Sequence, residues 1–278
     1  MRSGDMTQAL LQDRADIAYA RDLGRAFGGA LLFGLPLLMT MEMWNYGLTL
    51  DGTRLAIFLL SALPLLFGLA NFAGFTPARS LGLAALEVFA ALAVGFISVC
   101  ILLALFGVLE DAASPSIMAS QVALQVVPSA MGAMLARRQF GSDRASADEG
   151  EARYPGELFL MVAGALFLAL NIAPTEEARL ISYIMGPWRA IALMALSLGL
   201  MHTIVYMAGF AGQEEQGHPV SAFFHFTLAG YGLVLLTCAF VLWIFGALDG
   251  HTLPATVDAL IVLGFPGAIG AAAARLLI

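Results

Sequence analysis

Pro128-Ser129-Ala130-Met131-Gly132-Ala133-Met134-Leu135-Ala136-Arg137 returns 138 positions later as Pro266-Gly267-Ala268-Ile269-Gly270-Ala271-Ala272-Ala273-Ala274-Arg275. Cys100 and Cys238 keep the same offset. Closer to the N-terminus the offset is 135. There Gly29-Ala30-Leu31, Leu35, Thr40 and Glu42 recur as Gly164-Ala165-Leu166, Leu170, Thr175 and Glu177. Arg54 and Ala73-Gly74-Phe75 likewise recur as Arg189 and Ala208-Gly209-Phe210. Matches among Ala, Gly and Leu arise by chance in an apolar chain. Paired Arg, Glu, Pro and Cys in the same order do not, so the pattern predicts a duplication. The offset changes between 76–81 and 211–220, a loop comparison in which an insertion costs little.

Both copies are apolar enough to cross a membrane. The chain is 60% apolar and 12% charged, with a mean hydropathy of +0.86, which excludes an ordinary soluble domain. Eight stretches of about 20 residues match a hydrocarbon core of roughly 30 Å. They run over 26–49, 54–74, 82–109, 117–136, 157–174, 188–210, 221–247 and 254–277. The predicted fold is an all-α polytopic membrane protein, with eight transmembrane helices as two tandem parallel four-helix repeats. Its parts are an N-terminal segment 1–25, a first repeat 26–136, a polar linker 137–156 and a second repeat 157–278. The N-terminal segment interleaves four arginines with four aspartates and has no apolar centre of a cleavable signal. A surface helix or a disordered start both fit it.

Positive residues in short loops set orientation. With the N-terminus inside, Arg2, Arg14, Arg21, Arg25, Arg79, Arg137, Arg138, Arg144, Arg153 and Arg275 fall on the cytoplasmic side, and only Arg54, Arg179 and Arg189 outside. Both termini are therefore expected in the cytoplasm, at the inner membrane of a bacterium. Four spans per repeat is an even number, so the halves enter the membrane the same way up, about a pseudo-twofold axis along the membrane normal.

Several chemistries are excluded outright. All 13 basic residues are arginine, which removes every mechanism that needs a lysine amine. A net charge of −7 without a basic face excludes nucleic acid as a partner. Cys100 and Cys238 are mid-span, where free cysteines act as small apolar fillers, and two thiols alone make no zinc site. No hydrolase elbow, phosphate loop or zinc-protease motif is present, so neither an enzyme nor a cofactor is expected.

The leading candidate site is the repeated Thr40-x-Glu42 and Thr175-x-Glu177. Ionisable groups inside spans usually face a bundle interior or a water-filled cavity. Two symmetry-related carboxylates would form one site for a small cation, the threonine hydroxyls adding oxygen ligands. Gln121, Gln125 and Asp258 lie at the outer parts of their spans and extend it. A structural reading competes. Glu42 precedes Arg54 by 12 residues and Glu177 precedes Arg189 by 12, so each repeat could clamp its outer hairpin by a Glu–Arg bridge. A second candidate is Glu87 with His225, matched at an offset of 138, as a proton relay or inner gate that His202 and Asn71 extend. Its structural alternative is a set of satisfied polar groups between helices.

Gly132 with Ala136, and Gly270 with Ala274, have the spacing that lets helices approach closely. They are expected to line the contact between the repeats. Pro128 and Pro266 permit a kink there. Trp44, Trp188, Tyr46 and Trp243 read as anchors at the outer boundary.

The segment Leu38-Met39-Thr40-Met41-Glu42-Met43-Trp44, after a Gly/Leu/Pro run in an eight-span chain, resembles a bacterial family of integral membrane proteins of unknown function. The resemblance implies a multi-pass membrane protein and carries no activity or site residue with it. The functional expectation is a transporter or channel for a small cation, possible proton coupling included. The alternative is a non-transporting membrane scaffold or sensor.

Overall fold

A computed structural model describes residues 3–72, 80–140, 154–208 and 223–277, with side chains at several segment ends left out. The side chains of Arg137, Arg138, His225 and Arg275 lie outside the described residues, as do Arg79, Arg144, Arg153 and most of the 137–156 linker.

The chain is all-helical, with no strand among the described residues. The first half contains α1 (Ser3–Leu38), α2 (Met41–Thr49), α3 (Gly52–Phe72), α4 (Leu81–Leu105) and α5 (Pro115–Phe140). The second half contains α6 (Tyr154–Ile172), α7 (Glu176–Ile184), α8 (Pro187–Ala208), α9 (Ala229–Ile244) and α10 (Leu253–Leu277). A π-helical turn, Phe223–Leu228, opens α9. The N-terminal segment is the start of α1 rather than a separate surface helix.

Seven described helices are long and apolar enough to cross a membrane, and an eighth span requires counting a bent pair as one. That pair corrects the reading of 26–49 as a continuous span. The helix stops at Leu38, turns by 78°, and resumes as α2. The second half stops in the same register, at Ile172, before α7.

The repeated threonines make both breaks. Thr40 and Thr175 are the N-caps of α2 and α7. The Thr40 hydroxyl donates to the Leu37 carbonyl at 2.9 Å, and that of Thr175 to the Ile172 carbonyl at 2.8 Å. Thr175 Oγ1 also accepts from the Ala178 N–H. Each hydroxyl therefore serves the last carbonyls of one helix while its residue starts the next, where lipid offers no hydrogen bonds. Trp44 completes the first break: its indole N–H donates to the Leu38 carbonyl at 2.9 Å. Thr175→Ala should lower stability by about 1 kcal/mol, the usual value of a lost cap. Thermal unfolding in detergent measures it, and no loss would mean that water replaces the hydroxyl.

Within each half the packing follows one plan. The first helix lies along the last, α1 on α5 and α6 on α10, and the short helix rests on the same partner, α2 on α5 and α7 on α10. Small residues set the close approach. A side chain on Gly29 would collide with Ala136 and the Gly132 carbonyl, and one on Gly164 with the Gly270 carbonyl and Ala274. This corrects the expectation that these faces join the halves. They are used inside each half, because each last helix meets its own first helix there.

Contact between the halves is uneven. Helix α3 packs against α6 and α9 and α5 touches α6, whereas among the described residues no comparably packed pair joins α8 to α1 or α4. Helix α8 stays instead on its own α10. The halves therefore depart from ideal twofold symmetry at these two helices.

Candidate functional site

The short helix α2 is sided. Met43 and Gly47 are buried, with Gly47 set against Gln121 of α5. Glu42, Asn45, Tyr46 and Thr49 line a cavity of about 650 Å³ between the halves, at the end where the helix breaks lie. The opposite wall comes from the second half, through Pro174, Glu176 and Arg179 near α7 and Phe245, Gly246 and Asp249 after α9.

Four carboxylates and two guanidinium groups share this cavity, which leaves it net acidic. Arg54 binds Asp249 in a fork, with Nη1 to Oδ2 and Nη2 to Oδ1 both at 2.8 Å. Bidentate geometry fixes the guanidinium plane as well as its position. The same guanidinium lies over the Trp243 ring, 5.4 Å from its centroid. Hydrogen bonding from Arg54 holds the Asp249 carboxyl below its usual range. Asp51 caps α3 by accepting from the Thr53 N–H at 2.9 Å and the Arg54 N–H at 3.2 Å. These backbone bonds, that from Arg54 foremost, lower its carboxyl in the same way. Arg179 reaches across from α7 to the Tyr46 hydroxyl, and the Tyr46 ring rests on Phe245 with centroids 4.7 Å apart. Both arginines thus tie one half to the other. Glu42 and Glu176, in the first turns of α2 and α7, are the remaining carboxylates on the wall.

The expected residues are partly gathered. Glu42 lies on the cavity but Glu177 does not, and Glu176 takes the place assigned to it. Thr40 and Thr175 are caps, so their hydroxyls are committed to backbone. Arg54 pairs with Asp249, not Glu42. Among the described residues Glu177 and Arg189 form no ion pair either, so neither hairpin carries the expected clamp. In the first half the helix bends by 78° before α2, and Arg54 meets Asp249 on the cavity that α2 shares with the second half.

Gln121 is buried on α5, its amide N–H donating to the Trp44 carbonyl at 3.3 Å. Gln125 and Ser129 continue its face inward, both fully buried. Asp258 is half-buried in α10 and does not line the cavity. In the second candidate group, His202 Nδ1 meets Thr227 Oγ1 at 2.9 Å, and Glu87 is half-buried on α4. The pairing of Glu87 with His225 falls outside the described residues. Asn71 is exposed and bonds back to the Phe67 carbonyl. Among the described residues no three His, Cys, Asp or Glu side chains converge as a metal set.

Four charged participants escaped the sequence reading: Asp51, Asp249, Glu176 and Arg179. Asp249 reads as an ordinary loop acid, and its partner lies 195 positions away. Glu176 has no acidic counterpart in the first half, where Met41 stands at the matching position. Its position just after an N-cap threonine, where acids favour the helix dipole, was the available signal.

Comparison with known proteins places the chain without assigning an activity. No curated protein and no solved structure matches it. One family model matches residues 22–278, nearly the whole sequence, from within α1 to the end of α10. On that match the chain belongs to the family described as "Putative integral membrane protein (DUF2391)".

Proposed function

We propose that this protein is a transporter or channel for a small cation, admitting it through the acidic cavity between two tandem, duplicated four-helix repeats. The observation that carries the reading is that cavity, in which Glu42 and Glu176 face a space of about 650 Å³ while Arg54 and Arg179 are engaged by Asp249 and Tyr46. Carboxylates around a concave opening raise the local cation concentration and repel anions. The duplication is supported by helix breaks 135 residues apart and by matching turns after α4 and α9. Each of those turns places a glycine at positive φ, Gly107 at 78° and Gly246 at 68°. The arginine distribution supports both termini on the cytoplasmic side of a bacterial inner membrane, with the cavity opening outward. The protein acts without catalysis or cofactor, and proton coupling belongs to the same reading.

The test is cation flux in proteoliposomes. Glu42→Gln with Glu176→Gln should cut flux at least tenfold while the unfolding temperature holds, and Glu177→Gln alone should leave flux near wild type. Unchanged flux in the double variant would sink this reading. A second reading, a non-transporting scaffold, is favoured by the cross-half bonds of Arg54 and Arg179. It requires no flux in the wild type under a broad ion panel.

A further inference from the structure

Two hollows follow the seam on which α3 meets the second half. The first is the acidic cavity, which reaches Arg54 on α3 and Phe245 at the end of α9. The second begins one turn further along the same face of α3, at Phe58, Ser61 and Leu65. Its far wall is Phe159 and Leu166 of α6 with Leu236 and Phe240 of α9, and its volume is about 420 Å³. All three helices are long and apolar enough to cross a membrane, and these residues lie away from their ends.

This groove offers hydrocarbon only. Its two hydroxyls are spent inside their own helices, Ser61 on the Phe58 carbonyl at 2.7 Å and Thr237 on the Leu233 carbonyl at 2.8 Å. The end away from the cavity is shut where Gly68 of α3 lies on the Phe159 ring, so closely that a Cβ there would overlap it. The other end leads toward the acidic cavity, since Phe58 and Arg54 are four residues apart, about 6 Å of helix. The repeat does not demand such a groove. On the matching side α8 stays on its own α10, and among the described residues it forms no comparable seam with α1 or α4.

An occupant must suit both hollows. In the cavity Arg54 is taken by Asp249 and Arg179 by Tyr46, while Glu42 and Glu176 keep the wall net acidic. A positive head group is favoured there and a phosphate is repelled. The groove runs for about 10 Å along α9, from Leu233 to Phe240, and seats one hydrocarbon chain rather than the two of a phospholipid. We propose that the seam binds a single-chain cationic amphiphile, its ammonium head in the acidic cavity and its tail between α3, α6 and α9. The proposal rests on the reading of that cavity as a cation site and names the class of cation. Charge complementarity sets the direction of the molecule, and removal of the tail from water drives binding.

The experiment is equilibrium dialysis of octyltrimethylammonium against the full-length protein in phosphatidylcholine nanodiscs, with uptake by empty nanodiscs subtracted. One saturable site per chain is expected, its affinity rising about fourfold per methylene from the butyl to the octyl homologue. Octyl sulfate should not compete. Glu42→Gln with Glu176→Gln should weaken binding at least tenfold and leave the dependence on chain length intact. Leu236 is 67% exposed at the rim of the groove, so Leu236→Trp fills it without disturbing the core. That variant should lose the dependence on chain length, and Ser61→Leu should do the same if Leu236→Trp does not fold. Uptake no greater than that of empty nanodiscs would mean that bulk phospholipid fills the groove, and would overturn the proposal. So would a chain-length dependence that survives in the filled variants, or binding indifferent to the two glutamates. Saturable binding to a protein that passes no cation would retain the site and remove the transport reading, whereas cation flux without such binding would do the reverse.

Discussion

Leucine in place of Gly132 is expected to be among the most damaging single changes in the chain, lowering stability by about 3 kcal/mol. A Cβ at Gly132 would lie 2.5 Å from the Gly29 carbonyl oxygen and 2.5 Å from Phe33 Cβ. One of those atoms is backbone, so the strain is not relieved by a rotamer change. Helices α1 and α5 must move apart, which opens the largest helix contact of the first half. Gly28→Leu is the control. Gly28 lies in α1, next to the Gly29 that Gly132 of α5 packs on, but a Cβ there meets nothing within 4 Å. That change should be neutral or stabilise by up to about 1 kcal/mol, since glycine is a poor helix former. Thermal unfolding of the two variants in detergent decides the point, and equal losses would remove the argument from close approach.

Gly246→Ala and Gly107→Ala should differ although the two glycines occupy matching turns. Each has positive φ, 68° and 78°, so alanine costs about 1–2 kcal/mol of backbone strain at either position. At Gly107 nothing lies within 4 Å of the added carbon. At Gly246 the added carbon would be 2.8 Å from Arg54 Nη1 and 3.2 Å from Asp249 Oδ2. Gly246→Ala therefore also displaces the fork that ties α3 to the second half. Acid titration separates the two effects. The Asp249 carboxyl is held below its usual value by Arg54 in the folded protein. Its contribution to stability is therefore complete above the unfolded value of about 3.9, and is lost as pH falls through the lower folded value. Wild type and Gly107→Ala should share that acid-side loss, whereas Gly246→Ala should show less of it. Identical pH profiles in all three would mean that the fork contributes nothing.

Much of the fold was legible. Apolar length identified the spans, and the spacing of Gly132 with Ala136 and of Gly270 with Ala274 marked a close helix crossing because small residues let two backbones approach. The crossing partner was misassigned, since spacing shows that a face is small without showing what covers it. The first break was hidden by hydropathy: Leu37 through Met43 reads as continuous apolar chain around Thr40 and Glu42. A threonine followed by an acid in the first turn is nevertheless an N-terminal signature, and it appears at both breaks. Taken that way, the repeated Thr-x-Glu is explained first by helix capping. The cavity uses Glu42 in addition, and the second half supplies Glu176 from the neighbouring position.

The candidate site was less legible because its bonds are long-range. The equal Glu–Arg spacing in both repeats suggested local clamps, yet Arg54 reaches Asp249 across 195 residues and Arg179 reaches Tyr46 across 133. By itself the sequence determined the membrane-spanning helices and the small-residue faces. These depend on neighbours three or four residues away, whose geometry a helix sets in advance. Only the tertiary structure decided which carboxylates share a cavity and that α3 and not α8 crosses to the other half. Those outcomes follow from the direction each helix takes after a break and from which face its neighbour covers. Both are settled by packing between segments far apart in the chain.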